Sequence, residues 1–233
     1  MVSPESSENR TPHLPEDYDS KISNVLPYYT AFHQETITLV KSLPSAPKIW
    51  MDTGCGTGTF VAKAIELFPD TKFLMLDPSE GMLKLAREKL SPYTHAKVEI
   101  LEASSTQDFG QELTEQPDVI TAIQCHHYLD RKNRTRAVSK CYELLKNGGF
   151  FITFENIRPL TEEGIIVGKQ YWEEFQKVQG RTEDEIRVHL ERFGTEYFPV
   201  TVEEHLKLLR ETGFRTVELF WYSYMQAGFY CIK

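Results

Sequence analysis

The sequence predicts an α/β protein: a doubly wound, mostly parallel seven-stranded sheet with an antiparallel C-terminal hairpin and a helical lid insert. Three observations carry that expectation. Strand-like and helix-like stretches alternate between Lys48 and Lys146. The intervening helices are long enough to serve as crossovers, so the strands they join run parallel and are covered on both faces. The last two strands, Val217 to Tyr222 and Met225 to Ile232, are joined so tightly that they must run antiparallel.

Along the chain, residues 1–17 hold Ser3, Pro4, Pro12 and Pro15 with scattered charge and few large apolar side chains, and read as a mobile tail. Ile22, Val25, Leu26, Tyr29, Phe32, Ile37 and Val40 recur at helical steps, predicting a lid helix over 18–43 broken at Pro27. A short strand at Ile49-Trp50-Met51 ends in glycines, and Phe60, Val61, Ala64, Ile65 and Phe68 stripe a helix over 59–68. Lys72 to Leu76 reads as a buried strand and Met82 to Leu90 as a helix. Val98 to Leu101, Val119 to Ile123 and Phe150 to Phe154 add three strands, the last after a helix through Val138, Tyr142 and Leu145 that stops at Asn147-Gly148-Gly149. The rhythm then breaks into an insert over 157–200. Its helices start at Thr161 and at Thr182 with Glu185, and Thr201 with Glu204 opens a further helix stopped by Gly213. The tail, the lid and the closing hairpin cannot bury a separate core, so 18–233 is expected to form one domain with an insert.

Composition excludes several classes of protein. A chain of 233 residues buries about 72% of the surface its unfolded form exposes, enough for a core without disulfides or metal. No apolar run approaches the roughly 20 residues of a spanning helix. A net charge of −8 without a basic stripe disfavours nucleic acid, whose affinity comes from phosphate neutralisation. The cysteines Cys55, Cys125, Cys141 and Cys231 stand far apart without zinc spacing, and the N-terminus lacks a signal-peptide pattern. No metal and a cytoplasmic location are the resulting expectations.

The chemistry concentrates after the first strand, in Asp52-Thr53-Gly54-Cys55-Gly56-Thr57-Gly58. Glycines there allow a tight turn and close backbone approach by a ligand. A dinucleotide fingerprint would need a third glycine at Thr59, and a P-loop would need Gly-Lys-Ser/Thr, so the loop is not built first for a pyrophosphate. Asp77 ends the second strand, 77 − 58 = 19 residues beyond the last glycine, where a carboxylate accepts hydrogen bonds from both hydroxyls of a ribose. It is equally placed to cap a helix beginning at Pro78.

Asp52 to Gly58 together with Asp77-Pro78-Ser79-Glu80-Gly81-Met82-Leu83 resemble the first two motifs of the class I S-adenosylmethionine-dependent methyltransferases, over about Lys48 to Glu155. The resemblance implies a Rossmann-like fold and S-adenosylmethionine as cofactor. It places Gly54, Gly56 and Gly58 against the methionine part, Asp77 on the ribose and Met82 beside adenine. In the loop Glu102-Ala103-Ser104-Ser105, Ser104 stands where the family commonly has an aspartate facing adenine, and Ser105 adjoins it. Ile123-Gln124-Cys125-His126-His127-Tyr128 resembles the family's segment beside the sulfonium, with the backbone near Ile123 and Gln124 toward the cofactor's amino group. His126 and His127 are placed either as general bases or as loop residues bonded to backbone. Cys55 and Cys125 read as packing residues.

The lid, the insert and the closing helix resemble one branch in particular, the carboxy-S-adenosylmethionine synthases and the methyltransferases that share their layout. The order Tyr18-Asp19-Ser20-Lys21-Ile22, Pro27-Tyr28-Tyr29 and Glu204-His205 to Gly213-Phe214 carries that likeness. It implies Tyr29 near the methionine end of the cofactor. The synthases hold an extra carboxylate with an arginine where counting back from the shared histidine finds Leu190, with Arg192 two positions off, which weighs against carboxylated-cofactor chemistry. Tyr28, Trp172 and Trp221 are candidate substrate-pocket residues. The expected function is methyl transfer to a small-molecule acceptor. The alternatives are a synthase-like enzyme modifying the cofactor, in the tRNA wobble-uridine pathway, and a non-catalytic nucleoside-binding module. The aromatic hairpin is a candidate homodimer surface.

Overall fold

A computed structural model describes residues 14–233. The chain runs through helices α1 (Pro15–Val25) and α2 (Tyr29–Lys41), strand β1 (Ile49–Thr53), α3 (Thr59–Ile65), β2 (Lys72–Leu76), α4 (Glu80–Leu90), β3 (Lys97–Ile100), β4 (Val119–Ile123), α5 (Arg131–Leu144) and β5 (Phe150–Asn156). The insert helices α6 (Glu162–Val178) and α7 (Glu183–Glu191) follow, then α8 (Val202–Thr212) and the hairpin β6 (Thr216–Ser223) and β7 (Gln226–Ile232). The seven strands lie in the order β3-β2-β1-β4-β5-β7-β6. Pairings through β5 are parallel, and β5–β7 and β6–β7 are antiparallel.

The central strands are buried on both faces because successive side chains alternate between two cores. Met51, Leu74, Leu76, Ile120 and Phe151 face α5 and α8, packing with Val138, Cys141, Leu209 and Phe214. Trp50, Phe73, Met75, Val119 and Ile152 face the opposite way, onto Phe60, Val61, Ala64, Leu83 and Ala86 of α3 and α4 and Ile37 and Val40 of α2. The strand order reverses between β1 and β4, and in open α/β sheets that switch point is where ligands settle.

Local chemistry explains the helix ends. Thr182 with Glu185 and Thr201 with Glu204 form complete capping boxes, and Gly213 ends α8 in the left-handed region. The lid divides where the sequence indicates, between Val25 and Tyr29 around Pro27. One boundary is corrected: α1 begins at Pro15, a favoured first helical position, with Glu16 and Asp17 in its first turn, so the expected tail loses its last residues to the lid. The rest of that tail, 1–13, lies outside the described residues. Among these, no helix is long and apolar enough to cross a membrane.

Candidate cofactor site

The glycine loop is fastened to the neighbouring strand: the N–H groups of Gly54 and Cys55 both donate to the Leu76 carbonyl, at 2.7 and 3.0 Å. Gly54, Gly56 and Gly58 have φ of 68°, 53° and 75°, a region that favours glycine. Their surroundings differ. A Cβ on Gly54 would lie 2.4 Å from Cys125 Cβ, and one on Gly58 would press Met75 and Ala86 at 3.1 and 3.3 Å. A Cβ on Gly56 would meet nothing within 4 Å, so Gly56 presents bare backbone to open space, as a cradle for a ligand requires.

Two buried carboxylates flank the cradle. Asp52 accepts from Thr121 Oγ1 at 2.6 Å, yet burial, with Asp77 nearby, raises its pKa to about 7. Asp77 accepts from the Gly56 N–H and the Ser79 N–H, both at 2.9 Å, and burial raises it to about 6 against those bonds. Two acids whose ionisation is hindered by desolvation are complementary to a ligand bringing a cation and hydroxyl donors. The capping role considered for Asp77 belongs to its neighbour: α4 starts at Glu80, and Ser79 caps it by accepting from the Met82 N–H.

The lid lies over this loop. Asp19 Oδ1 accepts from Thr57 and Thr59 Oγ1 at 2.7 and 2.9 Å, and Oδ2 accepts from Lys89 Nζ at 2.5 Å. Tyr18 and Tyr29 share a hydrogen bond beside it, both phenols raised chiefly by burial. The enclosed space is lined by Tyr18, Tyr29, His33, Asp52, Gly54, Gly56, Thr57, Phe60 and Ile123 and measures about 30 Å³. A space that narrow is well below the few hundred Å³ of a typical ligand pocket.

Beyond β4, Ile123 lines the cavity and Gln124 sits at φ 57°, its N–H donating to the Phe154 carbonyl at 2.7 Å. Its side-chain amide is buried, with neither its nitrogen nor its oxygen bonded to a protein partner. Both histidines then depart from the general-base expectation. His127 is 2% exposed, with Nδ1 on Glu155 Oε2 at 3.0 Å and Nε2 facing Asn156 Nδ2 at 3.3 Å. Glu155 stays ionised, held down to about 2 despite burial by its bond to His127 and by Coulombic attraction to the neighbouring histidines. With both ring nitrogens engaged, His127 is a structural tie between the β4 loop and β5. His126 is stacked on Phe151 on the α5 side, and burial lowers its pKa to about 4. The buried Arg134 guanidinium bonds the carbonyls of His126, His127, Leu129 and Phe198, fixing this loop to the end of the insert.

The remaining expected residues separate. Met82 is buried on the first turn of α4, and the Ser104 N–H donates to the Asp77 carbonyl at 3.1 Å. Ser105 turns away, its hydroxyl donating to Asp108 at 2.7 Å. Trp172 is wholly buried, its indole N–H donating to the Val25 carbonyl at 2.7 Å, which makes it the joint between insert and lid rather than a pocket wall. Tyr28 is 56% exposed on the outer surface, edge-on to Trp221 at 6.2 Å, and Trp221 packs on Phe32 and Phe154. The four cysteines are free thiols, and burial raises each of their pKa values. Sequence reasoning missed His33, Glu155, Asn156 and the Asp19 latch. Asp19 did stand inside the quoted Tyr18-Asp19-Ser20 stretch, but its partners are 38 to 70 residues away.

Comparison with known proteins agrees with this geometry. Residues 51–151, from β1 into β5, match the family model described as a methyltransferase domain. Over those residues the chain carries a methyltransferase domain. The chain is 24% identical over 202 residues to a carboxy-S-adenosyl-L-methionine synthase of Nautilia profundicola, covering 87% of this chain and 84% of that protein. It is 26% identical over 208 residues to the synthase of Campylobacter lari, covering 86% and 84%. The fold matches the plantazolicin methyltransferase BpumL, solved with a desmethyl analogue and S-adenosylhomocysteine, at a TM-score of 0.69 and 14% identity, covering 94% of this chain and 90% of that one. It also matches a putative O-methyltransferase of Nostoc punctiforme at 0.68 and 17%, where this chain spans only 60% of the other's length. In the methyltransferase domain the cofactor is S-adenosylmethionine. The open face at Gly56 and the two buried carboxylates, Asp52 and Asp77, are chemically compatible with its hydroxyls and its positive charge.

Proposed function

We propose that the enzyme transfers the methyl group of S-adenosylmethionine to a small-molecule acceptor. The observation that carries the reading is the glycine cradle with a buried carboxylate at each end, Asp52 and Asp77. The cofactor supplies an electrophilic methyl group on a sulfonium. The chain's residues bind and orient it: Asp77 takes the ribose hydroxyls, Asp52 the ammonium, Gly54, Gly56 and Gly58 the backbone contacts, and Gln124 a polar contact near the reacting end. Met82 and Ser104 border adenine, and Tyr18 and Tyr29 exclude water from above. An in-line displacement gains mainly from orientation, worth about 7 to 11 kcal/mol. That suits a site in which His127 is already bonded through both nitrogens. The charge of −8 favours a small acceptor over a polyanion. A screen of candidate acceptors, following formation of S-adenosylhomocysteine, tests the reading. Turnover with none, by protein that binds the cofactor, counts against it.

A second reading, modification of the cofactor as in the carboxy-S-adenosylmethionine synthases, is favoured by one observation. Arg192 folds inward, 8% exposed, close enough to act on the charges of Tyr128 and His127, although Glu196 Oε2 already takes its Nε at 2.6 Å. Leu190, at the counted position, packs instead against the lid core. Mass spectrometry of copurifying small molecules separates the readings, since a carboxylated cofactor is heavier than its parent.

A further inference from the structure

Lys63, on α3, is a cation with an unusual partner. Among the described residues its ammonium bonds the His33 ring, Nζ to Nδ1 at 3.3 Å, and makes no ion pair, although Glu35 and Glu66 share the outer groove with it. His33, on α2, is 2% exposed and lines the cavity together with Asp52, Gly54 and Gly56. An ammonium has hydrogens only to give, so Nδ1 is the acceptor and the imidazole proton sits on Nε2. Burial and the Lys63 charge hold the ring neutral, with a pKa of about 3. The site thus pairs an N–H donor on its inner wall with an uncompensated positive charge directly behind it.

This arrangement fits one part of the cofactor. With the ribose on Asp77, as proposed above, the amino-acid end would occupy the space that Gly56, Asp52 and His33 of α2 line. That end carries one ammonium and one carboxylate. Asp52 is the buried acid for the first; for the second, the phenols and hydroxyls of the cavity wall are neutral donors, and the Lys89 ammonium beside Thr57 and Thr59 is already paired with Asp19, which leaves the Lys63 charge behind His33.

We propose that His33 and Lys63 form the carboxylate subsite for the amino-acid end of the cofactor, an inference that rests on the assignment of S-adenosylmethionine to this cleft. Because His33 belongs to the lid, the same contact ties lid closure to the presence of an intact amino acid.

The test compares S-adenosylmethionine with decarboxylated S-adenosylmethionine, which keeps the sulfonium and the amine, by calorimetric titration of the wild type and of His33→Ala, Lys63→Met and Lys63→Arg. Thermal melting verifies that each variant is folded. The wild type is expected to prefer the intact cofactor by about ten- to a hundredfold, the range of a charge-assisted hydrogen bond. Lys63→Met and His33→Ala are expected to bring that preference to within about twofold of unity, the coupling a double-mutant comparison isolates. Lys63→Arg is expected to keep most of it. An unchanged preference in folded Lys63→Met, or an equal loss for both ligands, overturns the subsite while leaving the cofactor assignment standing. A wild type that binds neither ligand overturns the assignment itself.

Discussion

Removal of the Asp19 carboxylate tests how the lid is held. Asp19→Ala deletes an acceptor for three donors, Thr57 and Thr59 on Oδ1 and Lys89 on Oδ2. A hydrogen bond to a charged group is worth about 1.5 to 3 kcal/mol when shielded. The Asp19 side chain is 43% exposed and that of Lys89 is 28% exposed, so the ion pair contributes only about 0 to 1 kcal/mol after screening. Counting the two hydroxyl bonds at about 0.5 to 1 kcal/mol each gives a latch of about 1 to 3 kcal/mol. Ile22, Val25 and Trp172 still pack α1 against the insert, so the variant remains folded with a looser lid. Hydrogen exchange followed by mass spectrometry reads the change as faster exchange over residues 15–25, by about fivefold to a hundredfold. β1 and β4 are expected to stay protected. Acid acts in the same direction. Burial opposes ionisation of Asp19, but the bonds from Lys89, Thr57 and Thr59 outweigh it and hold the carboxyl below its ordinary value. The latch is therefore complete above the unfolded pKa and is lost as pH falls through the folded one. Unchanged exchange over α1 in Asp19→Ala would refute the latch and leave the apolar lid core as the whole of the closure.

Three further outcomes follow from the same geometry. Gly54→Ala forces a Cβ to within 2.4 Å of Cys125 Cβ at φ 68°, and is expected to cost several kcal/mol in urea unfolding, whereas Gly56→Ala meets no protein atom and costs about 1 kcal/mol while abolishing most cofactor binding. Equal effects of the two on stability would contradict the separation of packing and cradle glycines. Glu155→Gln breaks a buried pair with His127 and is expected to destabilise by about 3 to 5 kcal/mol. Because Glu155 is held at about 2 in the fold, the wild type should lose that contribution only as pH falls from about 4 toward 2, as acid unfolding monitored by circular dichroism would show. Asp52, raised to about 7, must be ionised to meet the ammonium, and Asp77, raised to about 6, must be ionised to accept from both ribose hydroxyls, so binding expels protons and affinity climbs as pH rises through that range. Calorimetry in buffers of different ionisation enthalpy measures the release, and proton uptake on binding would contradict the arrangement.

The sheet was legible because its signals are local. β2 and β4 keep their expected bounds, since short runs of apolar residues between turn residues leave no competing register. Thr182, Thr201 and Gly213 end their helices as anticipated, because caps depend on residues three positions apart. Asp52, the glycines and Asp77 were legible for the same reason, each lying at the end of a strand. What escaped was everything assembled across the fold. His127 reads as a base in a loop until β5 brings Glu155 and Asn156 to both of its nitrogens, and Trp172 reads as a pocket wall until α1 covers it. Neither Lys63 nor His33 has a motif, and only the packing of α2 against α3 makes them a pair.

The central claim, that the cradle between Asp52 and Asp77 holds S-adenosylmethionine, is tested most directly by calorimetric titration of the cofactor into the wild type and into Asp77→Ala. The account predicts saturable binding by the wild type, and affinity at least about tenfold weaker in a variant that still unfolds cooperatively. Absence of binding by the wild type at millimolar cofactor, or equal affinity in the two proteins, would contradict it.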